Sequence, residues 1–124
     1  MKLKLGDVLN LNHTLKLIID DKSKKIDPIL KFKLLGLMKS LGTHVENFEI
    51  IKNEKIKEYG KETDDGNIVI SDEDTESLKK FQNDLNPVIN SDITLKIEKI
   101  KAEEIFDKGI PAEYLISLYP FIEE

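Results

Sequence analysis

The stretch "DPILKFKLLGLMKSLGTHVENFEIIKNEKIKEYG", residues 27 to 60, constrains the fold more than any other part of the chain. Asp27 has a side chain suited to capping a helix, and Pro28 suits the first helical position, where its missing N–H would have no partner anyway. Gly60 reads as a left-handed stop. Between them Leu34, Met38, Leu41, Val45, Phe48, Ile51 and Tyr59 recur at helical spacing. A continuous helix here would be about 50 Å long at about 1.5 Å per residue. A bend is expected near Gly42-Thr43, where glycine weakens a helix by about 1 kcal/mol relative to alanine.

The flanking segments supply partners for that helix. In "MKLKLG" Leu3 and Leu5 alternate with Lys2 and Lys4, the period of a half-buried strand, and Gly6 permits a sharp exit. Asp7 is expected to cap a helix through "VLNLNHTLKLIIDD", with Val8, Leu11, Leu15 and Ile18 on one face, although the alternation from Leu9 to Leu17 also fits a strand. The polar "DDKSKKID" segment would close an antiparallel helical hairpin, with Gly36 and Gly42 allowing close approach if they face the partner. Downstream, "SDEDTESLKKFQNDLNP" reads as a third helix with Leu78, Phe81 and Leu85 inward and Asn86-Pro87 ending it. "DITLKIEKI" places Ile93, Leu95 and Ile97 opposite Thr94, Lys96 and Glu98, a strand that suits the first one as a partner. "AEEIFDKGIPAEYLISLYPFIEE" reads as two short helical pieces separated at Gly109 and restarted by Pro111. The expected fold is α+β: a helical hairpin with one long helix, a small antiparallel sheet including a β-hairpin, and short C-terminal helices, in a single domain over residues 1–124.

Composition narrows the functions. The chain has 124 residues and 40% hydrophobic content, enough for one core. No apolar run approaches the roughly 20 residues that span a bilayer, and the N-terminus lacks a signal-type block, so the expectation is a soluble, unexported chain. Cysteine is absent, which removes thiolate chemistry and disulfides. All 19 basic residues are lysine. Without arginine there is no planar fork for guanine edges or carboxylates, so specific nucleic-acid readout is not expected. Lys22, Lys24 and Lys25 sit beside Asp20, Asp21 and Asp27, which cancels their field locally.

The best prospect for chemistry is "YGKETDDGNIVISDED", residues 59 to 74. A calcium loop of the EF-hand kind needs oxygen ligands at its first, third and fifth positions, glycine at the sixth and glutamate at the twelfth. With Gly66 sixth, Lys61 falls first, Thr63 third, Asp65 fifth and Asp72 twelfth, so the pattern fails at its first ligand. The expected reading is a type I′ turn at Asp65-Gly66 with "NIVI" as the returning strand, then a capping box from Ser71 to Asp74. A metal-dependent enzyme using Asp64, Asp65, Asp72 and Asp74 is the alternative.

Other reactive groups are sparse. His13 and His44 are the only histidines; Ser40 and Thr43 lie near His44, but no Gly-x-Ser-x-Gly elbow or third orienting group accompanies them. The adjacent carboxylates Asp20-Asp21, Asp64-Asp65, Glu103-Glu104 and Glu123-Glu124 point in different directions on a helix, which suits solvated faces. Neither a phosphate-binding loop nor a dinucleotide fingerprint is present. In "EYLISLYPFIEE" the residues Leu115, Leu118 and Phe121 are expected in the core, and Tyr114 and Tyr119 are candidates for anchoring a partner.

The order of these elements, from "DPILKFKLLGLMKSL" to "EYG", then "DDGNIVI", "ITLKI" and "IPAEYLISLYPFIEE", resembles a family of small uncharacterised proteins of Gram-positive tailed phages and prophages. That resemblance implies a phage setting, in the bacterial host cytoplasm or the virion, and brings no active-site residues. The expected function is non-catalytic protein binding without a cofactor, as a virion or assembly accessory or a modulator of a host or defence protein. A self-assembling structural subunit built on the long helix is a further alternative.

Overall fold

The computed structural model describes residues 2–21, 25–97 and 99–123. The long helix forms as one piece, α2, over Pro28–Tyr59, 32 residues without a break at Gly42-Thr43. Asp27 caps it by accepting the Leu30 N–H at 3.2 Å, with Pro28 in the first turn. Leu30, Leu34, Leu37, Leu41 and Phe48 are buried, and Met38 and Ile51 pack against them. Gly36 and Gly42 do not face a partner: a Cβ on either would meet nothing within 4 Å. Gly36 is exposed and Gly42 half-buried, each flanking the apolar stripe that includes Leu30, Leu34, Leu37 and Leu41.

The N-terminal strand β1 (Lys2–Lys4) runs directly into helix α1 (Leu5–Asp20). Leu5 starts the helix earlier than expected because its side chain is buried and its N–H donates to the Ser91 carbonyl at 2.9 Å. Gly6 therefore lies within the first turn, not at an exit. Asp7 is not the cap but sits a turn inward, accepting the Lys4 N–H at 3.4 Å. Val8, Leu11, Leu15 and Ile18 are buried against α2, as the helical spacing predicts. Of the polar segment between the helices, Lys22, Ser23 and Lys24 lie outside the described residues.

After α2 a short hairpin pairs β2 (Lys61–Glu62) with β3 (Ile68–Val69), matching Lys61 to Val69 and Glu62 to Ile68. Gly60 ends α2, but with φ −84° and ψ 169° it is extended and not left-handed. Glycine is required there for another reason: a Cβ would lie 2.4 Å from the Ile56 oxygen and 2.9 Å from the Val69 oxygen. The returning strand thus packs against bare backbone.

Helix α3 (Thr75–Ile89) passes through Pro87 and ends two residues beyond it. Leu85 is buried, while Leu78 and Phe81 are half-buried. Strand β4 (Asp92–Thr94) pairs antiparallel with β1, Leu3 opposite Ile93, which is the expected partnership. It stops before Leu95, which is buried, and Glu98 lies outside the described residues.

The C-terminal pieces are β5 (Ile100–Lys101), α4 (Ala102–Ile105), α5 (Ala112–Leu118), a 3₁₀ turn (Tyr119–Phe121) and β6 (Ile122–Glu123). β6 pairs parallel with β5, Ile100 beside Ile122, a third two-stranded sheet that nothing in the sequence pattern announces. Its crossover passes through α4 and α5, the long connection that a parallel pair requires. Ile105, Leu118, Phe121 and Ile122 complete the core, and the Asp27 N–H donates to the Lys108 carbonyl at 3.1 Å, tying this segment to the start of α2. The whole is α+β: a helical pair with one long helix, small sheets and short C-terminal helices.

Candidate functional site

The acidic stretch is occupied with its own backbone. The Gly66 N–H bonds to the Thr63 carbonyl at 3.0 Å and the Thr63 N–H to the Asn67 carbonyl at 2.7 Å. Gly66 has φ +85°, but Asp65 does not have positive φ, so the expected type I′ turn is replaced by a type I turn closed by a left-handed glycine. A type I′ turn would need both central residues left-handed, which costs an aspartate more than a glycine. Asp65 accepts from the Thr63 hydroxyl and from the Asn67 N–H and side-chain amide. Those bonds, the Thr63 hydroxyl first, hold its carboxyl below the usual range.

The helix start is one turn later than the expected capping box. Asp74 caps α3 by accepting the Ser77 N–H at 3.2 Å, and this bond lowers its pKa. Ser71 accepts the Glu73 N–H at 3.2 Å and belongs to the turn before the helix. Among the described residues, no three His, Asp or Glu side chains come together as metal ligands.

Where α2 meets α3, the Tyr59 hydroxyl donates to Asp84, and Lys55 bridges Glu58 at 2.8 Å and Asp84 at 3.4 Å. The bond from Tyr59, more than Lys55, holds the Asp84 carboxyl below its ordinary value, and the same bond raises the phenol. Glu58 is the main cause of a raised Lys55. The group is a polar fastening between two helices. His13 is exposed on α1 and His44 half-buried on α2. The Ser40 hydroxyl donates to the Gly36 carbonyl at 3.1 Å, so its proton is directed along its own helix and not toward His44.

The C-terminal segment is organised differently. Phe106, Leu115, Ile116, Tyr119 and Ile122 line an open apolar groove of about 320 Å³. Ile116 is 80% exposed, Tyr119 61% and Phe106 45%, although Leu118 on the same short helix as Ile116 is 1% exposed. Alternation between these positions follows from the helix: Leu118 and Leu115 turn toward the core, and Ile116 turns out. Pro120 and the 3₁₀ turn then swing Phe121 and Ile122 inward and leave Tyr119 on the rim.

The two tyrosine candidates are separated by this arrangement. Tyr114 is partly buried against the core and does not line the groove; Tyr119 lines it. Ile116 and Phe106 were not singled out by the sequence. The signal that could have found Ile116 was the crowding of large apolar residues into a helix of only seven residues, more than one face can bury; Phe106, just after α4, carries no such signal. Carboxylates lie near these positions in sequence: Glu103 one turn before Phe106, Asp107 after it, Glu113 one turn before Ile116, and Glu123 after Ile122.

No helix among the described residues is long and apolar enough to cross a membrane. In comparisons with known proteins, the chain matches no family model, no curated protein and no solved structure.

Proposed function

We propose that this chain is a non-catalytic protein-binding protein of the phage type, acting on another protein as a virion or assembly accessory or as a modulator of a host or defence factor. The observation that carries the reading is the apolar groove of Phe106, Leu115, Ile116, Tyr119 and Ile122. Large side chains held 45% to 80% exposed on a small domain are costly in water unless something covers them. The carboxylates near it in sequence favour an apolar anchor flanked by lysine or arginine. The phage setting rests on the resemblance of the element order.

The test is site-specific photocrosslinking in lysate from phage-infected cells, with the crosslinker at Ile116 and, as a reference, at the exposed Asn53 of α2. One discrete adduct at Ile116, missing at Asn53 and lost with Tyr119→Asp, supports the reading, and its identity separates virion from host or defence partners. Equal labelling at both sites would sink it. An adduct with the chain itself would replace it by self-assembly.

A further inference from the structure

The solvent side of α2 carries an apolar pattern that the rest of the chain does not cover. Ile29, Phe32 and Ile50 are between 58% and 77% exposed, and they lie on one line of the helix whose positions alternate by three and four residues. That line passes through Gly36, Lys39, Thr43 and Glu46, all exposed, with the exposed Leu35 beside it. Leu34, Leu41 and Phe48 are buried on the opposite side of the helix, so the line faces away from the core. It has the spacing of a coiled-coil seam, apolar at its ends and small or charged in its middle.

The order of charges selects the occupant. From Pro28 to Val45 the helix contains Lys31, Lys33 and Lys39 and no carboxylate, whereas Glu46 and Glu49 follow directly. A second copy laid parallel would set Lys39 against Lys39 and Glu46 against Glu46, which repel. Laid antiparallel, the seam complements itself: Phe32 of one copy meets Ile50 of the other, Gly36 meets Glu46, and Lys39 meets Thr43. Each of these pairs is centred on the level of Leu41, so one two-fold axis generates them all. Lys39 then lies three residues, about 4.5 Å along the axis, from Glu46 of the copy on the same flank of the seam. Gly36 leaves room for the Glu46 stem, since a Cβ there would meet nothing within 4 Å.

We propose that two copies of this chain pair antiparallel through this seam, with Phe32 of each packed on Ile50 of the other. The reversal of sign along the seam commits the face to a second copy, because an unrelated partner needs no match between the two halves of one helix. Apolar contact is confined to the end layers, so the dimer is weak and concentration-dependent. The groove at Ile116 shares no residue with the seam and stays open for another protein. Asn53 faces Ile29 of the copy in this register, and a crosslink there has twice the chain's mass, which tells it apart from the adduct of a foreign partner.

Sedimentation equilibrium from about 1 μM to about 1 mM tests the proposal. The unaltered chain should pass from monomer to dimer, and Phe32→Asp should raise the dissociation constant at least about tenfold. Lys39→Glu and Glu46→Lys should each weaken pairing, and the two changes on one chain should restore it. Ile116→Asp should pair as the unaltered chain does. Orientation is read by oxidation, since the chain has no cysteine of its own: Gly36→Cys mixed with Glu46→Cys should form a disulfide-linked dimer faster than either variant alone. A strictly monomeric mass at about 1 mM would overturn the proposal. So would a dimer that survives Phe32→Asp or is lost with Ile116→Asp, a doubly exchanged chain that stays monomeric, or cysteine variants that link to themselves faster than to each other.

Discussion

At the hairpin end of α2, Asp65, Asp74 and Asp84 each accept hydrogen bonds from neighbours a few residues away or from the adjoining helix. At the C-terminal end Ile116, Tyr119 and Phe106 stand largely in solvent beside the fully buried Leu118. In sequence the hairpin region suggests chemistry, yet in the fold its acids hold turns and helix ends together. The C-terminal region reads as core at Leu115, Leu118 and Phe121 with Tyr114 or Tyr119 as anchors, and the fold leaves over more apolar surface than that, at Ile116 and Phe106. Polar groups near a turn or helix end are readily satisfied locally, whereas an apolar side chain needs a partner surface, and a seven-residue helix has only one buried side.

The largest test of this contrast lies within α5. Leu118→Ala should lower the unfolding free energy by about 2 to 5 kcal/mol, as expected for a fully buried leucine. Ile116→Ser should change it by no more than about 0.5 kcal/mol, because the side chain contributes little to the folded core. Chemical denaturation of both variants measures the difference. A comparable loss for Ile116→Ser would mean that the groove is part of the fold and not spare surface.

At the hairpin end, Gly60→Ala should destabilise by about 1 to 3 kcal/mol through overpacking. The new methyl would be forced against the Ile56 and Val69 oxygens, so the loss should come with reduced hydrogen-exchange protection of β2 and β3. Gly66→Ala should cost about 1 to 2 kcal/mol for a different reason, the left-handed backbone, with no steric contact to relieve. Asparagine at the two positions separates the causes: Gly66→Asn should recover much of the loss and Gly60→Asn none.

A smaller effect distinguishes the two candidate caps. Asp74→Ala should lower the thermal midpoint more than Ser71→Ala, since only Asp74 bonds to the first turn of α3. Equal losses would return the cap to Ser71.

The smallest effect is the dependence on pH. Asp65, Asp74 and Asp84 are all lowered from the ordinary 3.8 in the folded state. Their stabilisation is therefore complete above the unfolded value and is lost as pH falls below about 4 through the lowered folded values. Tyr59 is raised from 10.0, so its contribution is present below that value and disappears as pH rises through the raised one. Hydrogen exchange at the α3 amides, followed at both extremes, should show protection falling first with acid, and Asp84→Asn should reduce both responses.

Local signals were readable where one residue type answers one local need. Asp27-Pro28 marked the start of α2, and Val8, Leu11, Leu15 and Ile18 marked a buried face, because capping and helical period depend on neighbours in the chain. Gly60 marked the right place for the wrong reason, since a stop and a close approach both require glycine. Pro87 misled: it removes only the one bond its N–H would have made to the Asn83 carbonyl, and α3 runs just two residues further, where the Ser91 hydroxyl donates to the Pro87 carbonyl at 2.9 Å. The β5–β6 pair was unreadable because two-residue strands carry no period. Of the groove, Tyr119 was singled out in the sequence, but its separation from Tyr114 depends on how α5 is rotated against the core.

By itself, then, the sequence determined where the main helices lie and both ends of α2, the hairpin's location, and the absence of arginine and cysteine chemistry. These depend on interactions within a few residues or on composition. Only the tertiary structure decided which lysines meet distant carboxylates, as Lys33 meets Glu104, which large apolar side chains face solvent, and which short strands meet, because those outcomes depend on segments far apart in the chain competing for one limited core.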